Sequence, residues 1–185
     1  MTKKMICFGD SLVFGYKVLP SSNWVTLLGL EHSLKTINRG QCGDTTLSML
    51  TRFEQHVLCS DADTILIMAG SNDFLQRIRT ADTVNHLLYM LRRAEGEGKR
   101  VFLSTITPYS PDGFEQPFRT REALLQAEPL RQSLNARLRL LPECIDTAAP
   151  FESLPENELQ SCLIDGIHLS PKGHRIAADY IGNFI

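Results

Sequence analysis

Residues 3–12 read Lys3-Lys4-Met5-Ile6-Cys7-Phe8-Gly9-Asp10-Ser11-Leu12, a short apolar run that stops at a Gly-Asp-Ser turn. A short apolar run between charged residues and a glycine turn is typical of a strand that is buried on both faces. A serine directly after such a strand lies at the edge of the sheet, where its hydroxyl can meet a substrate. The stretch therefore predicts a buried sheet and makes Ser11 the first candidate for chemistry.

The rest of the chain alternates apolar runs with longer amphipathic stretches. Further strands are predicted at 64–69 and 101–106, with weaker candidates at 34–37 and 144–145. Apolar residues at three and four spacing predict helices at 24–30, 45–53, 81–94 and 130–141, the last opened by Pro129. Continuous apolar strands separated by helices favour a parallel sheet covered by helices on both faces.

Composition limits the class of protein. The chain has 185 residues, of which 43% are hydrophobic, so a single domain over residues 1–185 with its own core is expected. The net charge is -2 and the cations are scattered, which argues against a nucleic-acid partner. No apolar run approaches the length of a membrane span or a secretory core, so a cytoplasmic protein is expected. The five cysteines include no Cys-x-x-Cys pair and are expected to be free thiols, with Cys42 a small buried residue.

The C-terminal part predicts a closing helix that begins at Pro171 with Ser170 as its N-cap. Residues 165–168 then lie in the loop that leads into this helix. His174 falls in its first turn, where a charged imidazole is unfavourable, and is expected to be an exposed helix residue. Residues 108–120 follow a predicted strand and are a candidate pocket wall, since ligands bind outside the carboxyl ends of parallel strands.

Polar groups follow several of the predicted strands, and together they suit acyl transfer by a serine. This reaction needs a base, a carboxylate that orients the base, and donors for the oxyanion. His168 is the natural base for Ser11, and Asp165, three residues earlier, can reach its other ring nitrogen. The backbone N–H groups of Ser11 and Gly43 and the side-chain amide of Asn72 are the candidate oxyanion donors. Each residue alone is also common in turns, so the combination carries the prediction.

Four segments stand in the order and spacing of the sequence blocks of the SGNH (GDSL) hydrolases, which the chain resembles from residue 9 to 168: Gly9-Asp10-Ser11-Leu12, Gly43-Asp44-Thr45, Gly70-Ser71-Asn72-Asp73 and Asp165-Gly166-Ile167-His168. The resemblance, to bacterial GDSL-type esterases and lysophospholipases, implies a flavodoxin-like three-layer α/β/α sandwich. Its central sheet would be mostly parallel, with about five strands. The resemblance also implies a mechanism without metal or cofactor and a small ester or thioester substrate.

The same resemblance implies roles for particular residues. Ser11 would be the nucleophile and first oxyanion donor, with Gly43 and Asn72 as the other donors. His168 would be the base and Asp165 the group that orients it. Gly40 is an alternative place for the family's glycine, but Gly43 is followed by the Asp-Thr pair that usually accompanies it. Lysophospholipids, acyl thioesters, aryl esters and acetylated sugars are all substrates in this family, so the particular ester stays open.

Two other classes of function stay open as well. The first is a divalent-metal phosphoesterase, whose hard ligands would be Asp10, Asp44, Asp73, Asp165 and His168. The second is a non-catalytic binding module for a nucleotide or a carbohydrate, although the chain has no Gly-x-Gly-x-x-Gly or Gly-x-x-x-x-Gly-Lys fingerprint. A chelator separates the first from a serine esterase, and failure to form an acyl-enzyme would favour the second. The lack of a lid-like insertion predicts an open site for short acyl groups.

Overall fold

The computed structural model describes residues 3–113 and 120–185 of the chain. The strands and helices of these residues follow one another in chain order: β1 Lys4–Gly9, α1 Ser11–Phe14, α2 Trp24–Glu31, β2 Lys35–Gly40, α3 Thr46–Phe53, β3 Thr64–Met68, α4 Ser71–Leu75, α5 Thr80–Gly96, β4 Arg100–Ser104, α6 Arg121–Leu138, β5 Cys144–Ile145, α7 Ala149–Glu152, α8 Glu156–Ser161 and α9 Pro171–Gly182. One turn of π-helix, Glu54–Leu58, extends α3.

The sheet has five strands in the order β2-β1-β3-β4-β5, and every neighbouring pair is parallel. Ile6 of β1 pairs with Ile37 of β2 on one side and with Ile65 of β3 on the other. From Met5 to Gly9 strand β1 is completely buried, whereas β2, at the sheet edge, is half-buried or exposed. The prediction of a parallel sheet is confirmed, and the edge position explains why β2 has the weaker apolar pattern.

Helices cover both faces of the sheet. On one face α3 contacts α5 and α5 contacts α6, while on the other face α2 packs against α9. This separation follows from right-handed crossovers, because the chain moves to one side from β1 to β2 and to the other side in all later steps. The predicted three-layer α/β/α sandwich is confirmed, and the carboxyl ends of all five strands meet at one edge.

Helix α6 begins earlier than predicted. It starts at Arg121, with the Thr120 hydroxyl accepting the N–H of Ala123 at 3.2 Å, and Pro129 lies in its interior. The prediction that Pro129 opens the helix is therefore wrong. Proline suits a first helical turn because it has no N–H to leave unpaired, but the same residue is tolerated inside a helix where one missing bond is outweighed by packing. Buried Leu124, Ala127 and Leu134 provide that packing.

The closing helix agrees with its prediction. Helix α9 begins at Pro171, and the Ser170 hydroxyl accepts the N–H of Gly173 at 3.3 Å as an N-cap. No helix among residues 3–113 and 120–185 is long and apolar enough to cross a membrane.

Candidate active site

Ser11 stands where β1 ends. The Asp10 carboxylate accepts the N–H of Leu12 at 2.9 Å, which starts the short helix α1, and Gly15 ends this helix with a φ of 85°. Ser11 is thereby held in the first turn of α1 at the sheet edge, with 7% of its surface exposed. This fixed position, with little freedom left to the main chain, suits a nucleophile.

Ser11 and His168 are in hydrogen-bond contact although 157 residues separate them. The Nε2 of His168 lies 2.9 Å from the Oγ of Ser11, and the Nδ1 lies 2.9 Å from an oxygen of Asp165. An ionised carboxylate only accepts hydrogen bonds, so the Nδ1 of a neutral His168 carries the proton. Nε2 then accepts a hydrogen bond from the hydroxyl of Ser11, which is the geometry that a serine and a general base require.

The surroundings of Asp165 favour the ionised form of its carboxyl group. Burial by itself would raise the pKa of this carboxyl, but hydrogen bonds from the side chain and the backbone of His168 outweigh it and lower the pKa. The backbone N–H of His168 donates to Asp165 at 3.0 Å, and only 2% of the Asp165 surface is exposed. The short loop thus holds acid and imidazole in one unit.

The loop after β2 lies against the turn after β3. The amide Nδ2 of Asn72 donates to the carbonyl of Asp44 at 2.9 Å, and the N–H of Gln41 donates to the carbonyl of Gly9 at 3.0 Å. Since β2 and β3 flank β1 in the sheet, these bonds bring the Gly43 loop and Asn72 to the end of the strand that carries Ser11. Asn72 is 5% exposed.

The two candidate glycines of this loop have different surroundings. A Cβ at Gly40 would come within 2.1 Å of the backbone nitrogen of Phe14, and the Gly40 N–H already donates to the side chain of Asn38 at 2.9 Å. Gly43 has a φ of +86°, and a Cβ there would meet no atom within 4 Å. Gly40 is therefore needed for close packing, while Gly43 supplies a left-handed turn in open space.

Arg52, which the sequence did not single out, ties this edge of the sheet together. Its guanidinium donates to the Asp44 carboxylate at 2.7 Å and to the carbonyls of Arg39 and Gly9, each at 2.9 Å. It also lies over the Phe8 ring, 4.3 Å from the centroid. One side chain of α3 thus joins the ends of β1 and β2 to the Gly43 loop. Nothing in the local sequence around Arg52 indicates these distant carbonyls.

Tyr16 is a second residue that the sequence did not indicate. Its ring packs on the imidazole of His168 with 4.4 Å between centroids, and the ammonium of Lys17 lies 5.2 Å from the Tyr16 centroid. The loop after α1 therefore covers one face of His168. This contact joins residues far apart in the chain, which local sequence patterns do not reveal.

His174 is buried, so the expectation of an exposed helix residue is wrong. Its side chain is 1% exposed and its Nδ1 accepts the backbone N–H of Trp24 at 3.2 Å. The packing of α2 on α9 covers this imidazole. The indole of Trp24 in turn donates to the carbonyl of Leu12 at 2.9 Å, so His174 supports the helix of Ser11 through one intermediate residue.

Two further expectations have different outcomes. Cys42 is exposed and not buried, because it lies on the turn by which the loop after β2 leaves the sheet.

The proposed pocket wall at 108–120 falls partly outside the described residues, including Phe114 and Phe118. Of the described part, Tyr109 is buried and the N–H of Ser110 donates to the carbonyl of Gly166 at 2.9 Å. This segment thus reaches the loop that carries Asp165.

The carboxylates of the metal alternative are held by separate partners. Asp44 forms an ion pair with Arg52, and Asp165 is hydrogen-bonded to His168. Asp73 accepts a hydrogen bond from the backbone N–H of Thr46. Within residues 3–113 and 120–185, no three His, Cys, Asp or Glu side chains form a group suited to a metal ion. The arrangement of these residues gives the metal alternative no support.

Comparison with known proteins identifies the family of the chain and agrees with its fold. The model of the GDSL-like lipase/acylhydrolase family matches residues 7–176, and the chain belongs to this family. An arylesterase of Vibrio mimicus is 31% identical over 110 residues, which are 57% of this chain and 55% of the relative. The match thus spans about half the length of that curated protein.

Solved structures share the whole fold. A lipolytic protein of the G-D-S-L family from Veillonella parvula has a TM-score of 0.80 at 22% identity, and the match covers 100% of this chain and 98% of that one. A lipase/acylhydrolase from Enterococcus faecalis has a TM-score of 0.77 at 27% identity, covering 98% and 94% of the two chains. These likenesses confirm the fold that the sequence predicted.

Proposed function

We propose that the protein is a serine hydrolase that cleaves the carboxylic ester bond of a small substrate through an acyl-enzyme on Ser11. The observation that carries this proposal is the continuous hydrogen-bonded chain from Ser11 Oγ through His168 to Asp165, with both contacts at 2.9 Å. Membership of the lipase/acylhydrolase family and the similarity to an arylesterase support the same chemistry.

The reaction proceeds in two halves. As the Oγ of Ser11 attacks the ester carbonyl, its proton passes to Nε2 of His168, and the positive imidazolium is stabilised by Asp165. His168 then returns this proton to the departing alcohol, which leaves the acyl group on Ser11. A water molecule gives a proton to His168 and attacks the acyl carbonyl. Collapse of this second tetrahedral intermediate breaks its bond to Oγ, which takes the proton back from His168, so the carboxylic acid is released and the Ser11 hydroxyl is restored.

Negative charge develops on the carbonyl oxygen in both halves. We assign its stabilisation to the backbone N–H groups of Ser11 and Gly43 and to the amide of Asn72. The support for this assignment is that Asn72 donates to the carbonyl of Asp44, that the N–H of Asp44 donates to the carbonyl of Gln41, and that the N–H of Gln41 donates to the carbonyl of Gly9 at the end of β1. Donors that are held in place before the reaction contribute most to the rate, because they need no reorganisation.

The substrate is proposed to be a small ester, with an acyl thioester as the alternative. We propose short acyl groups, in keeping with the open site that the lack of a lid-like insertion predicts, and the open setting of Gly43 supports such a site. A p-nitrophenyl ester series with increasing acyl length tests this point. A preference for acyl chains of about a dozen carbons or more would contradict it.

The central test is covalent labelling with a fluorophosphonate, with a chelator present, followed by intact-mass spectrometry and peptide mapping. Wild type is expected to gain one adduct on Ser11, and Ser11→Ala none. Ser153→Ala, at an exposed serine, is the matched control and is expected to label like wild type. An adduct on Ser11→Ala, or no adduct on a folded wild type, would refute the proposal.

A further inference from the structure

Asp73 is a fully buried carboxylate directly after Asn72. It accepts the backbone N–H of Thr46 at 2.9 Å, the hydroxyl of Thr46 at 2.5 Å and the hydroxyl of Thr83 at 3.1 Å. Thr46 and Thr83 are fully buried as well. A buried carboxylate is costly unless donors satisfy it, and here three donors from two other segments converge on it.

The segments of Thr46 and Asp73 also carry the proposed oxyanion donors. Gly43 lies three residues before Thr46, and Asn72 is the neighbour of Asp73 in the chain. Two bridges therefore join the loop after β2 to the turn after β3: the Asn72 amide to the Asp44 carbonyl, and Thr46 to Asp73. With two attachment points, the loop is fixed in orientation as well as in distance.

His86 on α5 extends this connection outward. Its Nδ1 lies 2.9 Å from the hydroxyl oxygen of Thr46. Because the Thr46 hydroxyl donates its hydrogen bond to Asp73, its oxygen is left to accept a hydrogen bond from the Nδ1–H of His86. Helix α5 thus holds the Thr46 hydroxyl through His86 and the Asp73 carboxylate through Thr83.

We propose that Asp73 and Thr46 are positioning residues that hold Gly43 and Asn72 at the spacing that a tetrahedral oxyanion requires. This inference rests on the proposed ester hydrolysis. Catalytic donors act within a narrow range of geometry, and a shift of about 1 Å in a positioned group can cost about a hundredfold in rate. Loss of the hydroxyl bond between Thr46 and Asp73 leaves the backbone N–H bond of Thr46 in place but loosens the connection. It therefore weakens binding of the transition state more than binding of the ground-state ester.

The test compares Thr46→Val, Thr46→Ser and Asp73→Asn by two readouts: hydrolysis of p-nitrophenyl acetate and inhibition by a simple alkyl boronic acid. The boronate forms a tetrahedral anion on Ser11 and so reports on oxyanion stabilisation directly. Thr46→Val and Asp73→Asn are expected to lower kcat by about tenfold or more and to weaken the boronate by a similar factor, with KM changed less than about twofold. Thr46→Ser keeps the hydroxyl and is expected to restore both quantities.

Thr147→Val is the matched control. It removes an equally buried hydroxyl, which accepts a hydrogen bond from the Ser104 hydroxyl at 2.7 Å. Thr147 follows β5, the strand at the opposite edge of the sheet from the Gly43 loop, so the variant is expected to leave kcat and boronate affinity unchanged. Folding of each variant is checked by circular dichroism, and Asp73→Asn supplies the result if Thr46→Val does not fold.

Two results would overturn the inference. One is that Thr46→Val or Asp73→Asn keeps the wild-type kcat and boronate affinity and only melts at a lower temperature. The contact between Asp73 and Thr46 would then be purely structural, and the proposal of ester hydrolysis would be unaffected. If wild type neither hydrolyses esters nor binds the boronate, the proposed function fails and the inference fails with it.

Discussion

Acid is expected to destabilise the protein through His174. Burial, and to a smaller extent the charge of nearby His168, lowers the pKa of His174 from 6.5 to about 4. The unfolded chain therefore takes up this proton first as the pH falls. The stability that the neutral imidazole contributes is complete above about pH 6.5 and is lost progressively down to about pH 4. A pKa difference of this size corresponds to about 3 kcal/mol of the free energy of unfolding.

Urea unfolding at a series of pH values between 7 and 4, followed by circular dichroism, measures this loss. His174→Asn is the informative variant, since its amide oxygen can still accept the Trp24 N–H but does not titrate. Wild type is expected to lose about 3 kcal/mol more than His174→Asn over this range. His32→Asn, at an exposed imidazole, controls for the substitution and is expected to follow wild type. Equal pH dependence in wild type and His174→Asn would refute the reasoning.

Three further predictions concern the activity and the framework of the site. Asp165→Asn replaces the negative charge beside Nδ1 of His168 with a neutral amide, which stabilises the imidazolium less and whose NH2 can hold the wrong tautomer. It is expected to lower kcat for p-nitrophenyl acetate by about 10³-fold or more, whereas a loss below about tenfold would contradict the assigned role. In Arg52→Lys a single ammonium cannot bind the carbonyl of Gly9 and the carboxylate of Asp44 at the same time. Urea unfolding is expected to show that the free energy of unfolding falls by about 1–3 kcal/mol, and unchanged stability would mean that these bonds contribute little. Trp24→Phe leaves the buried carbonyl of Leu12 without its indole donor. The melting temperature is expected to fall by an amount that corresponds to about 1–3 kcal/mol of the free energy of unfolding, while an unchanged melting temperature would show that water replaces the donor.

The predictions from local sequence patterns were confirmed where the residues that determine an element lie within that element or directly beside it. Strands β1, β3 and β4 are apolar because both of their faces are covered, and the Ser-Pro pair at 170–171 marks the start of α9. Pro129 misled because its usual place in a helix is the first turn, while here the packing of α6 decided. Cys42 and His174 misled for one reason: burial of a single small or polar residue depends on which distant element covers it.

The sequence by itself determined the family, the α/β/α fold and the candidates Ser11, Gly43, Asn72, Asp165 and His168, because these stand in recognisable local blocks at the ends of predictable strands. Their roles remain a prediction that the proposed labelling tests. Only the tertiary structure decided that Ser11 and His168 are in contact, that Tyr16 covers the imidazole, and that Asp73 joins two loops 27 residues apart. Such contacts depend on strand order and helix packing, which bring together side chains from distant parts of the chain. The local sequence around each of these residues does not indicate which distant residue it contacts.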